Sequence, residues 1–337
     1  MQRNEGVQIA RALAALSVAY FHSYIAVRAF PESAQLPVAF LKDWGFLGVN
    51  FFFAISGYVI CLIAAKPSFS APSFAIKRVF RLYPMYWATM AVVACLIALG
   101  RYRPETLSHF LYSLTLLPQP SASAYDPSWT LEREIVFYAI AAVTVPFAGV
   151  WGLAGVLAAL AYAGFVLGNP WTFHVVSTTQ ADFLSGVIVF LISSRFRLPN
   201  LAPLALMTLG SLSLWYTRSH EFPFAATLSL FVILLGMANL DLPWHRRPLR
   251  WLIHLGDASY SVYLLHLIVF MVAAPLAAML RLPWWLCEAW RFGSIALCIA
   301  LSALAWRFIE QPMIALGNRF SSARSSTKTY RARRQTP

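Results

Sequence analysis

The stretch QIARALAALSVAYFHS, residues 8–23, decides how the rest of the chain is interpreted. Its alanine, leucine and valine residues favour a membrane helix, yet Arg11 stands near its beginning and His22 near its end. Eleven steps along an α-helix make three turns plus about 20°, so both side chains lie on one helix face, about 16 Å apart. A charge near the centre of a bilayer costs about 3 kcal/mol on insertion scales, so this face should point toward protein rather than lipid.

The composition of the whole chain is that of an all-α, multi-pass membrane protein. Of its 337 residues, 59% are hydrophobic and 12% are charged, which is about half the charged fraction of a soluble domain. The four cysteines lie in or beside apolar runs without a C-x-x-C spacing, a pattern that favours neither a disulfide framework nor a metal site. About ten apolar runs are long enough to be predicted as spans: 8–28, 45–65, 80–100, 133–149, 151–168, 181–195, 201–216, 222–239, 255–279 and 288–309.

The distribution of basic residues predicts that both termini are cytoplasmic. With ten spans and an inner start, most of the 26 lysines and arginines fall on the inner side, and Arg291 is counted among the outer ones. This asymmetry, with contacts to anionic lipid, accounts for the net charge of +13 without a nucleic-acid partner. We expect a membrane domain over residues 1–316 and a basic, disordered cytoplasmic tail over 317–337. Residues 101–132 are predicted to form an outer loop with a short, partly embedded helix at 107–117.

The stretch PSWTLEREIVFY, residues 127–138, carries Glu134 just below the predicted outer surface, at a depth comparable with that of His22. A carboxylate within reach of an imidazole can fix its tautomer and raise its basicity, as in a general base. Alternatively, Glu132, Arg133 and Glu134 form a charged helix start whose acids the helix dipole favours. Spacing alone leaves both interpretations open.

Two further polar sets lie at predicted helix ends. Arg78 and Arg81 are three residues apart and therefore neighbours on one face, which suits a phosphate clamp but also suits simple flanking of a span. Ser259, Tyr263 and His266 follow one another at helical spacing down one face of the ninth span. This stripe either lines an internal cavity or hydrogen-bonds a neighbouring helix.

Taken together, these stretches resemble the bacterial membrane-bound acyltransferase family 3. The resemblance covers essentially the whole chain and keeps the order of the family's motifs. Asn50 departs from it, because many members have an acid at this position. The matching stretches are the R-x10-H of Arg11 and His22, GVNFFFAISGY at 48–58, RVFRLYPMYW at 78–87, SWTLERE at 128–134, SYSVYLLH at 259–266 and EQP at 310–312.

The resemblance implies an O-acyltransferase of the bacterial inner membrane, with cytoplasmic acyl-CoA, above all acetyl-CoA, as co-substrate and no bound cofactor or metal. The implied acceptor is a hydroxyl of a carbohydrate such as an exopolysaccharide, an O-antigen or a lipo-oligosaccharide. His22 then becomes the base, oriented by Glu134. Arg78 and Arg81 become contacts for the CoA phosphates, and Arg11 part of the donor path.

Two other classes compete with this interpretation. A transporter of a small anion or sugar precursor would also place polar groups in spans, although transporters often carry paired repeats with broken helices, and we find none in the sequence. A structural partner of a polysaccharide assembly complex would not need polar residues at His22 and Glu134.

Overall fold

A computed structural model gives the protein an all-helical fold over the residues that it describes, which are 4–28, 39–169, 174–196, 198–199, 201–217, 224–240 and 247–334. No strand occurs within these ranges. The chain divides into two compact units. The first unit comprises Met1–Val59 and Thr178–Leu304, and the second unit comprises Ile60–Ser177 and Ala305–Pro337.

Thirteen α-helices account for most of the described chain. A short 3-10 helix, Tyr24–Val27, continues α1, and a π-helical turn, Trp306–Glu310, joins the last two α-helices. The α-helices are α1 Glu5–Ser23, α2 Ala39–Trp44, α3 Gly48–Ala64, α4 Ala71–Ala98, α5 Leu107–Ser113, α6 Ser128–Val166, α7 Gln180–Ser193, α8 Ala202–Thr217, α9 Ala225–Asn239, α10 Arg247–Asp257, α11 Ser259–Met279, α12 Trp284–Ala305 and α13 Gln311–Arg334.

Six stretches of the described chain are helical, long and apolar enough to cross a membrane. They are Glu5–Val27, Phe40–Ala64, Ala71–Ala98, Ser128–Val166, Ser259–Met279 and Trp285–Ser322. The multi-pass, all-helical class predicted from composition is therefore confirmed. The number of ten crossings stays a prediction, because the remaining predicted spans fall on a kinked helix and on helices shorter than a bilayer is thick.

These remaining spans fall on one kinked helix and on three short ones. Within α6, Gly149 has φ 63° and ψ −164°, a conformation that glycine adopts readily, and this kink separates the predicted spans 133–149 and 151–168. The helices α7, α8 and α9 have 14, 16 and 15 residues. At 1.5 Å per residue they reach about 21 to 24 Å, less than the hydrocarbon core of about 30 Å.

The first unit is organised around α1, whose start is fixed by a polar cap. The Asn4 side chain accepts a hydrogen bond from Val7 N at 3.1 Å, which satisfies one of the amide groups that a helix start leaves without a partner. The Asn4 amide in turn donates to Ala238 O at 2.8 Å and lies 3.4 Å from the Tyr58 hydroxyl. The start of α1 therefore lies beside the ends of α3 and α9.

Pairs of contacts fix the helix directions within the first unit. The helices α1 and α11 run the same way, because Arg11 contacts Ser259 and His22 lies beside His266. The helix α3 runs opposite to α1, since the beginning of α1 meets the end of α3 and Ser17 near its other end donates to Gly45 O. The remaining pairs are α3 with α7 and α7 with α9, which run parallel, and α8 with α9, which run antiparallel.

The helices α3 and α7 approach so closely that their contact requires glycine. A Cβ atom on Gly186 would lie 1.7 Å from Ala54 O, and one on Gly57 would lie 2.1 Å from Phe183 O. Both positions would bring side-chain carbon onto backbone, which cannot yield as a flexible side chain can. This contact places Asn50 of α3 against Asp182 at the start of α7.

In the second unit, α4 packs against both α6 and α13. The rings of Phe74 and Tyr138 join α4 to α6, with their centroids 5.9 Å apart, and Phe80 stacks on Phe320 of α13 at 5.6 Å. The helix α13 continues to Arg334, through most of the segment 317–337 for which the sequence predicts a disordered tail. A domain boundary at residue 316 stays a prediction, and residues 335–337 lie outside the described chain.

The predicted outer loop contains a short helix, as expected for residues 107–117. It is α5, Leu107–Ser113, seven residues long and capped by Thr106, whose hydroxyl accepts from His109 N at 3.3 Å. Arg103 ties this region together through ion pairs with Asp126 at 2.6 Å and Glu105 at 2.8 Å.

Candidate active site

Two contacts between α1 and α11 bring together four of the residues singled out in the sequence. Arg11 Nε donates a hydrogen bond to Ser259 Oγ at 3.2 Å. The imidazole rings of His22 and His266 lie with their centroids 4.9 Å apart. We call Arg11, His22, Ser259 and His266 the α1–α11 polar face. The polar residues of α1 therefore point at a protein helix, as the cost of burying a charge in lipid requires.

The hydrogen bond of His22 identifies its basic nitrogen. His22 Nδ1 lies 3.1 Å from Val18 O, one turn earlier in α1. A carbonyl oxygen only accepts, so Nδ1 carries the proton in this contact and Nε2 is the nitrogen that can take up another. The side chain is half-buried. His22 thus has the tautomer and the partial access that a general base needs.

His266 is the more buried of the two histidines. It is 1% exposed, and its Nδ1 lies 2.5 Å from Tyr263 O, so Nδ1 is again the protonated nitrogen. Its Nε2 is buried and has no hydrogen-bond partner among the described residues. The ring of Tyr263 lies 5.7 Å from the His266 ring and 6.0 Å from that of Phe52. The stripe predicted on α11 therefore faces α1, with a buried acceptor atom beside His22.

Arg291, which the count of basic residues assigns to the outer side, lies fully buried beside the His22 end of α1. The helix α12 begins at Trp284, so Arg291 stands about two turns inside it. Its guanidinium donates to Ser23 Oγ at 3.0 Å and pairs with Glu288 at 2.6 Å. The rings of Tyr20, Tyr24 and Phe292 surround it at 4.4–4.7 Å. Sequence reasoning missed this residue, although a Glu-x-x-Arg pair at helical spacing was visible.

The departure at Asn50 has a structural counterpart in Asp182. Asn50 Nδ2 donates to one carboxylate oxygen of Asp182 at 2.7 Å, and Thr227 Oγ1 donates to the other at 2.6 Å. Asp182 is 3% exposed. A buried acid is therefore present beside position 50 but is supplied by α7, 132 residues further along the chain.

In the second unit, Glu134 belongs to a short chain of polar contacts. The Tyr138 hydroxyl, one turn further along α6, donates a hydrogen bond to Glu134 Oε1. The guanidinium of Arg78 lies over the rings of Tyr138 and Phe74, 5.5 and 5.4 Å from their centroids. Glu134 and Arg78 therefore both contact Tyr138.

Arg81 has a different environment from Arg78. Its Nη1 pairs with Glu310 Oε2 at 3.0 Å, and the side chain of Glu310 is 0% exposed. The guanidinium also lies 5.3 Å from the centroid of the Trp306 ring. The two arginines predicted as a clamp are therefore not equivalent, because a buried carboxylate already offsets the charge of Arg81.

Glu132 is a buried carboxylate that sequence reasoning treated only as part of a charged helix start. It is 1% exposed and accepts hydrogen bonds from Gln119 at 2.7 Å and Ser123 at 2.8 Å. His174 Nε2 lies 3.4 Å from its other oxygen. Because the donors come from the loop before α6, this network fixes the loop against the helix that carries Glu134. Among the described residues, no group of three or more His, Cys, Asp or Glu could hold a metal ion.

Comparison with known proteins places these residues in a family context. A family model described as an acyltransferase domain, acyltransferase family 3, matches residues 4–307. The exopolysaccharide production protein ExoZ of Rhizobium meliloti is 29% identical over 291 residues, covering 81% of this chain and 90% of the relative. Acyltransferase MdmB of Streptomyces mycarofaciens is 24% identical, covering 75% of this chain and 76% of the relative.

A third relative is longer than this chain. The peptidoglycan O-acetyltransferase OatA of Listeria monocytogenes is 25% identical, covering 87% of this chain and 56% of the relative. No solved structure matches. Because the family model covers nearly the whole chain and both units supply its residues, the resemblance drawn from the motifs is confirmed: the chain belongs to acyltransferase family 3 and is a multi-pass membrane acyltransferase.

Proposed function

We propose that the protein moves an acyl group, acetyl above all, from cytoplasmic acyl-CoA to a hydroxyl of a glycan or glycolipid at the outer side of the bacterial inner membrane. The observation that carries this proposal is the α1–α11 polar face, which puts a histidine with a basic Nε2 inside an apolar helix bundle. The names of two relatives, an exopolysaccharide production protein and a peptidoglycan O-acetyltransferase, support a carbohydrate acceptor and an acetyl group.

In the proposed reaction, His22 is the general base. As the acceptor oxygen attacks the thioester carbonyl carbon, His22 Nε2 takes the hydroxyl proton, and the carbon–sulfur bond then breaks. The proton passes from His22 to the departing thiolate, so the products are an ester and free CoA. General-base assistance of this kind is worth about 10²- to 10⁴-fold in rate. Ser259, Tyr263 and His266 are proposed to line the cavity that the acceptor enters, where the buried Nε2 of His266 can accept a hydrogen bond from the incoming hydroxyl.

The remaining proposed roles concern orientation and the donor. Glu134 is proposed to orient and stabilise protonated His22 through its charge, because Nδ1 of His22 donates to Val18 O and Nε2 takes the acceptor proton. Arg78 and Arg81 are proposed to contact the CoA phosphates, and Arg11, held by Ser259, to line the donor path.

Turnover of labelled acetyl-CoA tests this function. The full chain, reconstituted in proteoliposomes with glycan extracted from the producing strain, should release CoA and attach label to the glycan as an alkali-labile ester. Release of CoA without labelled glycan would point to a different acceptor. Stable acetyl-CoA under all conditions would contradict the donor.

The helix directions in the first unit support the proposed topology. In a ten-span chain with a cytoplasmic start, spans alternate in direction, so α1, α8 and α11 should run outward and α3, α7, α9 and α12 inward. The contacts within this unit agree with that order, since α1 runs parallel to α11 and antiparallel to α3 and α9. The excess of lysine and arginine on one set of loops indicates which side of the membrane is cytoplasmic.

Reporter fusions test the sidedness. We expect a reporter after residue 337 to be active only in the cytoplasm, and one inserted at Asp126, whose side chain is 54% exposed, only in the periplasm. The physical reason is the excess of lysine and arginine on one set of loops. Both reporters on the same side would contradict the proposed path from inner donor to outer acceptor.

Replacing Glu134 with glutamine should lower kcat by about 10- to 100-fold, the usual cost of losing a partner that orients a functional side chain. Glutamine still accepts the Tyr138 hydrogen bond but carries no charge, so the fold should persist. Asp43→Asn, at an exposed acid of α2, is the control. If Glu134 acts through His22, the double variant should be little worse than His22→Ala alone. Fully multiplicative losses would contradict that pairing.

Replacing Arg78 with alanine should raise KM for acyl-CoA more than it lowers kcat, because its proposed task is binding. Lysine should rescue only in part, since it lacks a planar pair of donors. Arg81→Ala should in addition lower the amount of folded protein, because it leaves the buried carboxylate of Glu310 without its cation. Kinetics normalised to folded, inserted protein check both, and an unchanged KM in both variants would contradict the phosphate contacts.

A further inference from the structure

A basic cavity of about 300 Å³ lies in the second unit, between the end of α3, the first turns of α4 and one turn of α13. Its lining includes three cationic side chains, Lys66, Lys77 and Arg78, and the hydroxyl-bearing residues Ser70 and Ser73. None of the lining residues is an Asp or a Glu. Motif reasoning singled out only Arg78 among these residues.

Among the described residues, Lys66 and Lys77 have no acidic partner, and Arg78 shares Tyr138 with Glu134. No ion pair of the described residues includes Lys66, Lys77 or Arg78, whereas Arg81, one turn further along α4, pairs with Glu310. Arg78 Nε is buried without a hydrogen-bond partner among the same residues. A buried donor without an acceptor costs free energy, so this atom is suited to an acceptor that a ligand brings. The cavity therefore favours an anion.

The beginning of α4 adds to this preference. Ser70 is the cap residue of α4, and its side chain makes no capping hydrogen bond, so its hydroxyl is not used on the helix. In the first turn of α4, Pro72 has no N–H and Phe74 N donates to Ser70 O, so the N–H groups without an intrahelical acceptor are those of Ala71 and Ser73. The dipole of a long helix also favours negative charge at this end. The helix has 28 residues, and Ser70 and Ser73 both line the cavity. Phosphate groups commonly bind in such surroundings.

We propose that this cavity binds a phosphomonoester, and that Lys66 and Lys77 contact the 3′-phosphate of the CoA donor. The identity of the donor rests on the proposed function, which does not include Lys66, Lys77 or this cavity. A phosphomonoester carries a charge of about −1.5 to −2 at pH 7, which suits three cations better than the single charge of a lipid phosphodiester. The volume is at the lower end for ligand pockets, enough for a phosphorylated end of the donor rather than all of it.

An aromatic residue in the same lining fits the neighbouring part of CoA. Phe69 lies in the loop before α4, half-buried, with its ring centroid 5.8 Å from that of Phe74. Adenine stacks on aromatic side chains irrespective of sequence context, because every base has a π-face. Phosphate and base would thus be held by one short stretch of chain, residues 66–78.

Comparison of acetyl-CoA with 3′-dephospho-acetyl-CoA tests the proposal in the full-length protein. Wild type should show a KM about tenfold higher for the dephospho donor, in the range for a hydrogen bond to a charged group. Lys66→Ala and Lys77→Ala should each raise KM for acetyl-CoA about three- to tenfold and bring the ratio between the two donors toward one. Both lysines are exposed, so folding should be preserved. Arg101→Ala, an exposed cation just beyond the other end of α4, should keep the wild-type ratio.

Two kinetic outcomes would overturn the proposal. One is a wild-type enzyme that uses both donors equally well. The other is a preference for acetyl-CoA that survives in both lysine variants, because the phosphomonoester would then be bound elsewhere.

A binding measurement separates this inference from the proposed function. Adenosine 3′,5′-bisphosphate should bind wild type in phosphatidylcholine nanodiscs and bind the lysine variants several-fold more weakly, even if no acetyl-CoA is consumed. If adenosine 3′,5′-bisphosphate binds but acetyl-CoA is not consumed, the proposed function is wrong and the assignment of the cavity still holds. Two results together would assign the cavity to lipid phosphate and overturn the proposal. The first is loss of nucleotide binding when phosphatidylglycerol is added to the nanodiscs. The second is equal affinity for adenosine 3′,5′-bisphosphate and adenosine 5′-diphosphate.

Discussion

Alanine at position 22 should lower acyl transfer by about 10²- to 10⁴-fold, the contribution expected of a general base. The hydrogen bond from His22 Nδ1 to Val18 O, at 3.1 Å, leaves Nε2 as the nitrogen that takes the acceptor proton, and alanine removes it. Membrane insertion should not suffer, because removing a polar side chain from a span makes insertion easier. The readout is ester formed per folded protein at saturating acetyl-CoA.

His254→Ala is the matched control, because His254 is exposed and belongs to α10 of the same unit. It should keep wild-type turnover. A His266→Ala variant extends the test to the second imidazole of the α1–α11 polar face, 4.9 Å from the first. If His266 receives the acceptor hydroxyl, its loss should raise KM for the acceptor and leave KM for acetyl-CoA unchanged. Near-normal turnover in His22→Ala would rule out the proposed base.

Methionine at position 291 should destabilise the protein by about 3 to 5 kcal/mol, the cost of leaving a buried charge without its partner. Arg291 is 0% exposed and pairs at 2.6 Å with Glu288, whose side chain is 15% exposed. Arg291→Met therefore leaves a largely buried carboxylate without its cation and removes the guanidinium that donates to Ser23 Oγ. A fall in the thermal unfolding midpoint of detergent-solubilised protein measures the effect.

The double variant Arg291→Met, Glu288→Met distinguishes a charge effect from lost packing. It should recover much of the stability, because removing both members of a buried ion pair is far less costly than removing one. The control is Arg307→Met, an exposed arginine of the π-helical turn, which should change the midpoint little. A wild-type midpoint in Arg291→Met would contradict the burial of a structural cation beside the end of α1.

The helices were predictable where apolar character extended over a whole span. The kink at Gly149 was accessible as well, because the predicted spans 133–149 and 151–168 meet at that glycine. The ends of α7 and α8 lie within two residues of the predicted spans 181–195 and 201–216, whereas α9 begins three residues after the start of the predicted span 222–239. Hydropathy indicates whether a segment lies in lipid or in water. It does not fix where a helix ends, because helix ends also depend on capping residues and on neighbouring helices.

Parts of the candidate site were predictable because they repeat along single helices. Arg11 with His22, and Ser259 with His266, were assigned to common faces from periodicity, and these faces meet in the structure. Which face meets which helix could not be predicted, because periodicity describes one helix at a time.

The pairings that sequence reasoning missed join distant segments of the chain. Asp182 supplies the acid beside Asn50 from 132 residues away, and Glu310 neutralises Arg81 from the other end of the chain. Lys66 and Lys77 looked like ordinary inner flanking charges, and their convergence on one cavity depends on the turn between α3 and α4.

The most direct test of the central claim is the O-acyl content of surface glycans, measured by mass spectrometry, after deletion of the gene and after its return as wild type or His22→Ala. We predict that deletion removes the acetyl mass increments from one glycan, that wild type restores them, and that His22→Ala, present at equal abundance in the membrane, does not. An unchanged O-acyl profile after deletion, or restoration by His22→Ala, would contradict the account.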